Sequence, residues 1–179
     1  MSSLRRFAVL LIALITVLMA PGVSGQGASQ TRFTGLLADQ VWVEAGPGQG
    51  PWQVNGTWTA RIATGTGKAE FVAAILGVRS DLWILQTGEN PATSLRSPHT
   101  HHVALVDATV TYLSNGIRLT GTAIITSEGN VAPFSGSPIV VEITGGDTVQ
   151  FSNMRLVFQG ASIGHFGSQA YDGVVSIER

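Results

Sequence analysis

After residue 25, no stretch of the chain sustains the apolar 3.6-residue period of an amphipathic helix, whereas alternation of period two recurs almost throughout. That pattern confines the fold to packed antiparallel strands. Twenty-two glycines with frequent Thr and Val suit many strands joined by tight turns. The chain has no cysteine, so disulfides, zinc-thiolate sites and cysteine nucleophiles are excluded together, and packing alone must hold the fold.

Two hairpins can be tested by register. If residues 64–67 form a turn, Ile62 faces Ala69, Arg61 faces Glu70, Ala60 faces Phe71 and Trp58 faces Ala73. Trp52, Val54, Gly56, Trp58, Ala60 and Ile62 then share one side with Ala69, Phe71, Ala73 and Ile75. A slip of one residue would exchange the faces, so this agreement supports the register. Val72, Ala74, Leu76 and Val78 form an apolar stripe on the opposite face, which is expected to pack against another segment or a second copy of the chain, making a homo-oligomer.

The second hairpin centres on Asn115-Gly116, the dipeptide favoured in two-residue turns. Pairing Ser114 with Ile117 places His102, Ala104, Val106, Ala108, Val110 and Tyr112 on one face with Leu119, Gly121, Ala123 and Ile125. A third hairpin is expected around residues 145–147, where a three-residue loop pairs Ile143 with Val149, Glu142 with Gln150 and Val141 with Phe151. Val41–Ala45, Asp81–Thr87 and Val174–Glu178 are further short strands, and residues 160–172 read as irregular. About eight strands joined mainly by hairpins predict an up-and-down or partly closed antiparallel β-barrel, with a two-sheet β-sandwich as the alternative.

Arg5 and Arg6 before the apolar run Phe7–Ala20 read as a signal peptide over residues 1–25, since a spanning helix needs roughly 20 apolar residues. Residues 26–40 are expected to be a loose leader and 41–179 a single domain. The mature protein would be secreted or periplasmic, with no membrane segment. Removing the signal leaves eight basic side chains against eleven acidic ones, scattered and with a single Lys, which argues against a nucleic-acid partner.

The chemistry-bearing residues concentrate between Ser97 and Ser127, which holds three of the four histidines. His99 and His101, two apart on a strand, place their Cα atoms about 6.6 Å apart on one face. That spacing lets both reach one divalent metal ion, with His165 as a third ligand. This His-x-His pair resembles the start of the cupin metal motif, which implies a metal-dependent activity. The cupin pattern continues with a glutamate four or five residues on, where this chain has Leu105 and Val106, and His165 does not match the second cupin motif.

The hairpin register points elsewhere. It puts His102 on the apolar face, at the mouth of a barrel whose interior would hold a small, largely apolar molecule among Trp58, Phe71, His102 and Tyr112. Binding of such a molecule is the leading expectation. The alternatives are an enzyme using the histidine cluster, with a metal or by metal-free acid/base chemistry, and a structural, oligomeric protein. Ser97 and Ser168, the serines near histidine, lie in loops without a recognisable orienting acid, so serine-hydrolase chemistry is not expected.

Overall fold

A computed structural model describes residues 29–46, 48–79, 98–145 and 153–178. The expected signal peptide, the expected strand Asp81–Thr87 and Trp83 lie outside these residues. Nine strands are present among the described residues: β1 (Gln30–Val43), β2 (Gly50–Ala63), β3 (Lys68–Arg79), β4 (His99–Leu113), β5 (Gly116–Ser127), β6 (Asn130–Val131), β7 (Pro138–Thr144), β8 (Asn153–Phe158) and β9 (Tyr171–Glu178). Eight of them form a closed antiparallel barrel in chain order, shut by the pairing of β1 with β9. The two-residue β6 adds to one end of β5. Closure removes the sheet edges that a sandwich would leave.

The β2–β3 hairpin has the expected register without a slip, from Ala63 opposite Lys68 to Trp52 opposite Arg79. Its inward residues fill the barrel: Phe71, Ala60 and Ala73 are fully buried, and Trp58 stacks on Phe71 with centroids 6.2 Å apart. The Arg61–Glu70 pair closes across the outer wall at 3.7 Å. Along the outer stripe, Val72 and Leu76 are exposed, at 50% and 39%.

Four sequence expectations are corrected. The region taken as a loose leader is the greater part of β1, which begins at Gln30 rather than Val41. Its alternation is hidden because the inward position Gly35 carries no side chain. The Val174 carbonyl on β9 and the Trp58 indole fill that space, with Trp58 Nε1 2.7 Å from where a Cβ would stand. At the β4–β5 connection the turn is Ser114-Asn115, Leu113 pairs with Gly116, and neither Asn115 nor Gly116 has positive φ. Gly116 serves instead as a close approach, because the backbone of Ile143 and Thr144 on β7 occupies the space of its missing Cβ.

The third hairpin is also displaced. Ile143 pairs with Met154, Glu142 with Arg155 and Val141 with Leu156, each five residues further along the chain than expected. A ladder of alternating charge favours this register. Arg118, Glu142, Arg155 and Asp172 lie side by side across β5, β7, β8 and β9, with contacts of 2.7 Å for Arg118–Glu142 and 3.1 Å for Arg155–Asp172. Exposed pairs of this kind contribute about 0.2–1 kcal/mol each, which is enough to select among otherwise similar registers.

The fourth correction decides the site. Between Leu105 and Thr109, β4 carries one residue more than either neighbour: Phe71 pairs with Leu105 but Ala69 with Ala108, while Ala123 pairs with Leu105 but Thr120 with Thr109. This is a β-bulge, with Asp107 in left-handed conformation at φ 58°. Val106 and Asp107 both point outward, so the inward set changes parity. After the bulge it is Ala108 and Val110, as expected. Before it, the inward set is His99, His101, Val103 and Leu105 instead of His102, Ala104 and Val106.

Candidate metal centre

The N-terminal end of β4 lies at one mouth of the barrel, together with the segment that joins β8 to β9. That segment is a 3₁₀ turn (Gly160–Ser162) running into a single-turn helix α1 (Ile163–Phe166). It is anchored from several directions. Phe166 stacks on Phe158 at 3.8 Å, and the buried Tyr171 hydroxyl donates to the Phe166 carbonyl at 2.9 Å. The Ser162 N–H donates to Ser137 Oγ at 3.1 Å, and Ser137 in turn donates to the Phe134 carbonyl at 2.8 Å. These contacts tie the connection from β6 to β7 against α1 and set His165 over the barrel mouth.

His99, His101 and His165 meet there. Their nearest ring nitrogens all lie within 4.8 Å of one another. His165 Nε2 is 2.9 Å from His101 Nε2 and 3.3 Å from His99 Nε2. The rings cross rather than stack, with interplanar angles of 89° for His99–His101 and 83° for His101–His165. Aromatic side chains hold each ring from outside the cluster. Trp52 packs edge-on to His99 at 5.3 Å, Phe134 lies parallel to His165 at 4.6 Å, and Phe166 meets His101 at 5.0 Å. Trp52 is itself fixed by donating to the Gly48 carbonyl at 2.6 Å.

Electrostatics keep His101 and His165 neutral. His101 is 3% exposed, and burial, reinforced by His165 and His99, lowers its pKa to about 3. Burial, with His99 second, lowers that of His165 to about 4. His101 Nδ1 is buried without a hydrogen-bond partner among the protein atoms.

A cleft of about 370 Å³ adjoins the cluster. His101 and His165 form part of its wall, and Ala132, Pro133, Phe134 and Ala161 much of the remainder. On the barrel side, a void of about 20 Å³ lies between Trp52, Val54, Ile75, Phe166 and the same two histidines, large enough for about one water molecule.

The structure therefore brings together the three histidines that the sequence reading named for metal, and separates the four residues named for an apolar ligand. Trp58 and Phe71 are packed in the core, at 2% and 0% exposure. His102 is on the outer wall between Ala74 and Thr126. Tyr112 lies near the far end of β4 and is 68% exposed. The bulge accounts for His102, and the slide at the 114–115 turn pairs Tyr112 with Ile117 instead of Leu119.

The sequence reading did not find Phe134 and Phe166, since only tertiary contacts bring them to the histidines. It also counted no Gly-x-Ser-x-Gly elbow, whereas Gly160-Ala161-Ser162-Ile163-Gly164 has that spacing. Ser162 is fully buried and its hydroxyl donates to the Gln159 carbonyl at 2.8 Å, so it is a structural serine. Ser168 donates to Glu44 at 2.6 Å, and that contact is what lowers the Glu44 pKa. In comparisons with protein-family models, curated proteins and solved structures, none matched the chain, and its function is read from this site alone.

Proposed function

We propose that the protein is an exported metal-binding β-barrel in which His99, His101 and His165 hold one divalent transition-metal ion at the barrel mouth. The observation that carries this reading is that one nitrogen, His165 Nε2, faces two other Nε2 atoms at 2.9 and 3.3 Å. A neutral imidazole nitrogen has a single in-plane direction and makes one good hydrogen bond. A proton therefore links one pair of rings, whereas an ion links all three. A tetrahedral ion with bonds of about 2.0–2.1 Å sets its ligand nitrogens about 3.3–3.4 Å apart, which matches the 3.3 Å His165–His99 separation and asks the 2.9 Å His165–His101 pair to open slightly. The lowered pKa values of His101 and His165 keep their lone pairs available at neutral pH. All-imidazole ligation suits zinc, copper, nickel or iron, and the cysteine-free donor set suits the oxidising compartment that a leader such as Phe7–Ala20 would reach.

The test is metal titration of untagged protein, followed by calorimetry and thermal melting. One ion bound per chain and a raised melting temperature are expected. His101→Ala and the less buried His99→Ala are each expected to weaken binding by about 100-fold or more. His102→Ala, on the outer wall, should leave affinity unchanged. Absence of binding by zinc, copper, nickel and cobalt alike, or an equal loss from His102→Ala, would overturn the proposal.

A further inference from the structure

We infer that the ion keeps an open coordination position facing the cleft, and that its ligand is a small molecule joining one donor atom to an uncharged apolar body. This rests on the metal reading above and goes beyond it by naming what the site takes. Among the described residues, no Asp, Glu or Cys joins the three histidines. Three protein ligands plus one exchangeable position is the arrangement of ions that bind or activate an exogenous molecule, whereas structural sites are closed by four protein ligands.

The cleft supplies the direction. Its wall includes both His101 and His165, the two rings whose Nε2 atoms are 2.9 Å apart. It is also preformed. Ser135 Oγ accepts from the Ile125 N–H at 3.0 Å, and the Ala132 N–H donates to the Ile125 carbonyl at 2.9 Å, pinning the connection that carries Pro133 and Phe134.

Size and chemistry select the ligand class. About 370 Å³ corresponds to roughly a dozen water volumes, at the lower end of small-molecule sites. None of the lining residues among those described is Lys, Arg, Asp or Glu. A polyanion such as a phosphate ester finds no counter-charge beyond the ion itself, and an apolar ring or short chain finds Pro133, Phe134 and Ala161. The donor atom goes to the metal and the body to these side chains.

Cobalt-substituted protein tests this, because the visible bands of cobalt(II) report its coordination. Imidazole and 4-phenylimidazole offer the same donor nitrogen and differ by one apolar ring. Both are expected to shift the bands, with 4-phenylimidazole binding at least about tenfold more tightly. Ala161→Trp, which places an indole at the cleft rim, is expected to erase that preference. Cobalt bands that neither probe changes would show a closed site, and equal affinity for the two probes would show that the cleft takes no part. Either result overturns this inference while leaving the metal site standing. Failure to form any cobalt bands overturns the metal reading and the inference together.

Discussion

The β2–β3 and β4–β5 hairpins are built alike, from long strands with alternating apolar residues, yet only the first can be followed on alternation alone. From Trp52 to Arg79 the parity of every residue holds, because β2 carries one apolar and one polar face along its length and sets the frame of β3, whose own outer face is apolar from Val72 to Val78. In β4 the run Val103-Ala104-Leu105-Val106 is apolar on both faces, so period two does not distinguish one frame from the other. The bulge at Val106 and Asp107 falls beside this ambiguous stretch. An inserted residue costs little where either face can be buried, and here it exchanges His102 for His101 at the barrel mouth.

The largest test of this difference is a pair of adjacent substitutions. Leu105→Ala, at 1% exposure, is expected to cost about 2–5 kcal/mol in chemical denaturation, and Val106→Ala, at 60%, no more than about 0.5 kcal/mol. An uninterrupted β4 reverses that order, so a greater loss from Val106→Ala would remove the bulge from the account.

Acid sharpens the same contrast through the histidines themselves. The folded pKa of His101 is about 3, below the ordinary 6.5, so between these values the unfolded chain binds more protons and stability rises with pH. Metal-free protein should therefore lose stability as pH falls below about 6.5. From His101 alone, the loss by pH 5, above the range where ordinary carboxylates protonate, is about 2 kcal/mol. Urea midpoints at pH 7.5 and pH 5 measure it, and His101→Gln should flatten the dependence. If His102→Gln flattens it instead, the inward residue has been misassigned.

The smallest effect concerns the backbone of the bulge. Asp107 has φ 58°, which Gly or Asp tolerates and a β-branched residue resists. Its carbonyl, which accepts from Lys68 Nζ at 3.2 Å, survives substitution. Asp107→Gly is expected to change stability by less than about 1 kcal/mol, and Asp107→Val to lower it by about 1–2 kcal/mol. Equal melting temperatures for the two variants would show that the left-handed conformation is not required.

How much of the fold and site is legible follows from the reach of each signal. Alternation carries the all-β class, the strand number and the β2–β3 register. It fails at Gly35, where the inward side chain is missing because the Val174 carbonyl and Trp58 occupy its place, and β1 is hidden as a result. It also fails after Thr144, where the register is favoured by charges on four adjacent strands. His99-Thr100-His101 is visible as a same-face pair, and His165 is nameable as a third donor.

The amino-acid sequence by itself determined that this chain packs antiparallel strands around an apolar interior and that any metal site must be built without thiolates, because alternation and residue chemistry are local properties. Only the tertiary structure decided which histidines face inward and that His165 reaches them. One inserted residue in β4 sets parity for everything before it, and the segment carrying His165 is placed by Phe158, Tyr171 and Ser137, contacts that no spacing along the chain records.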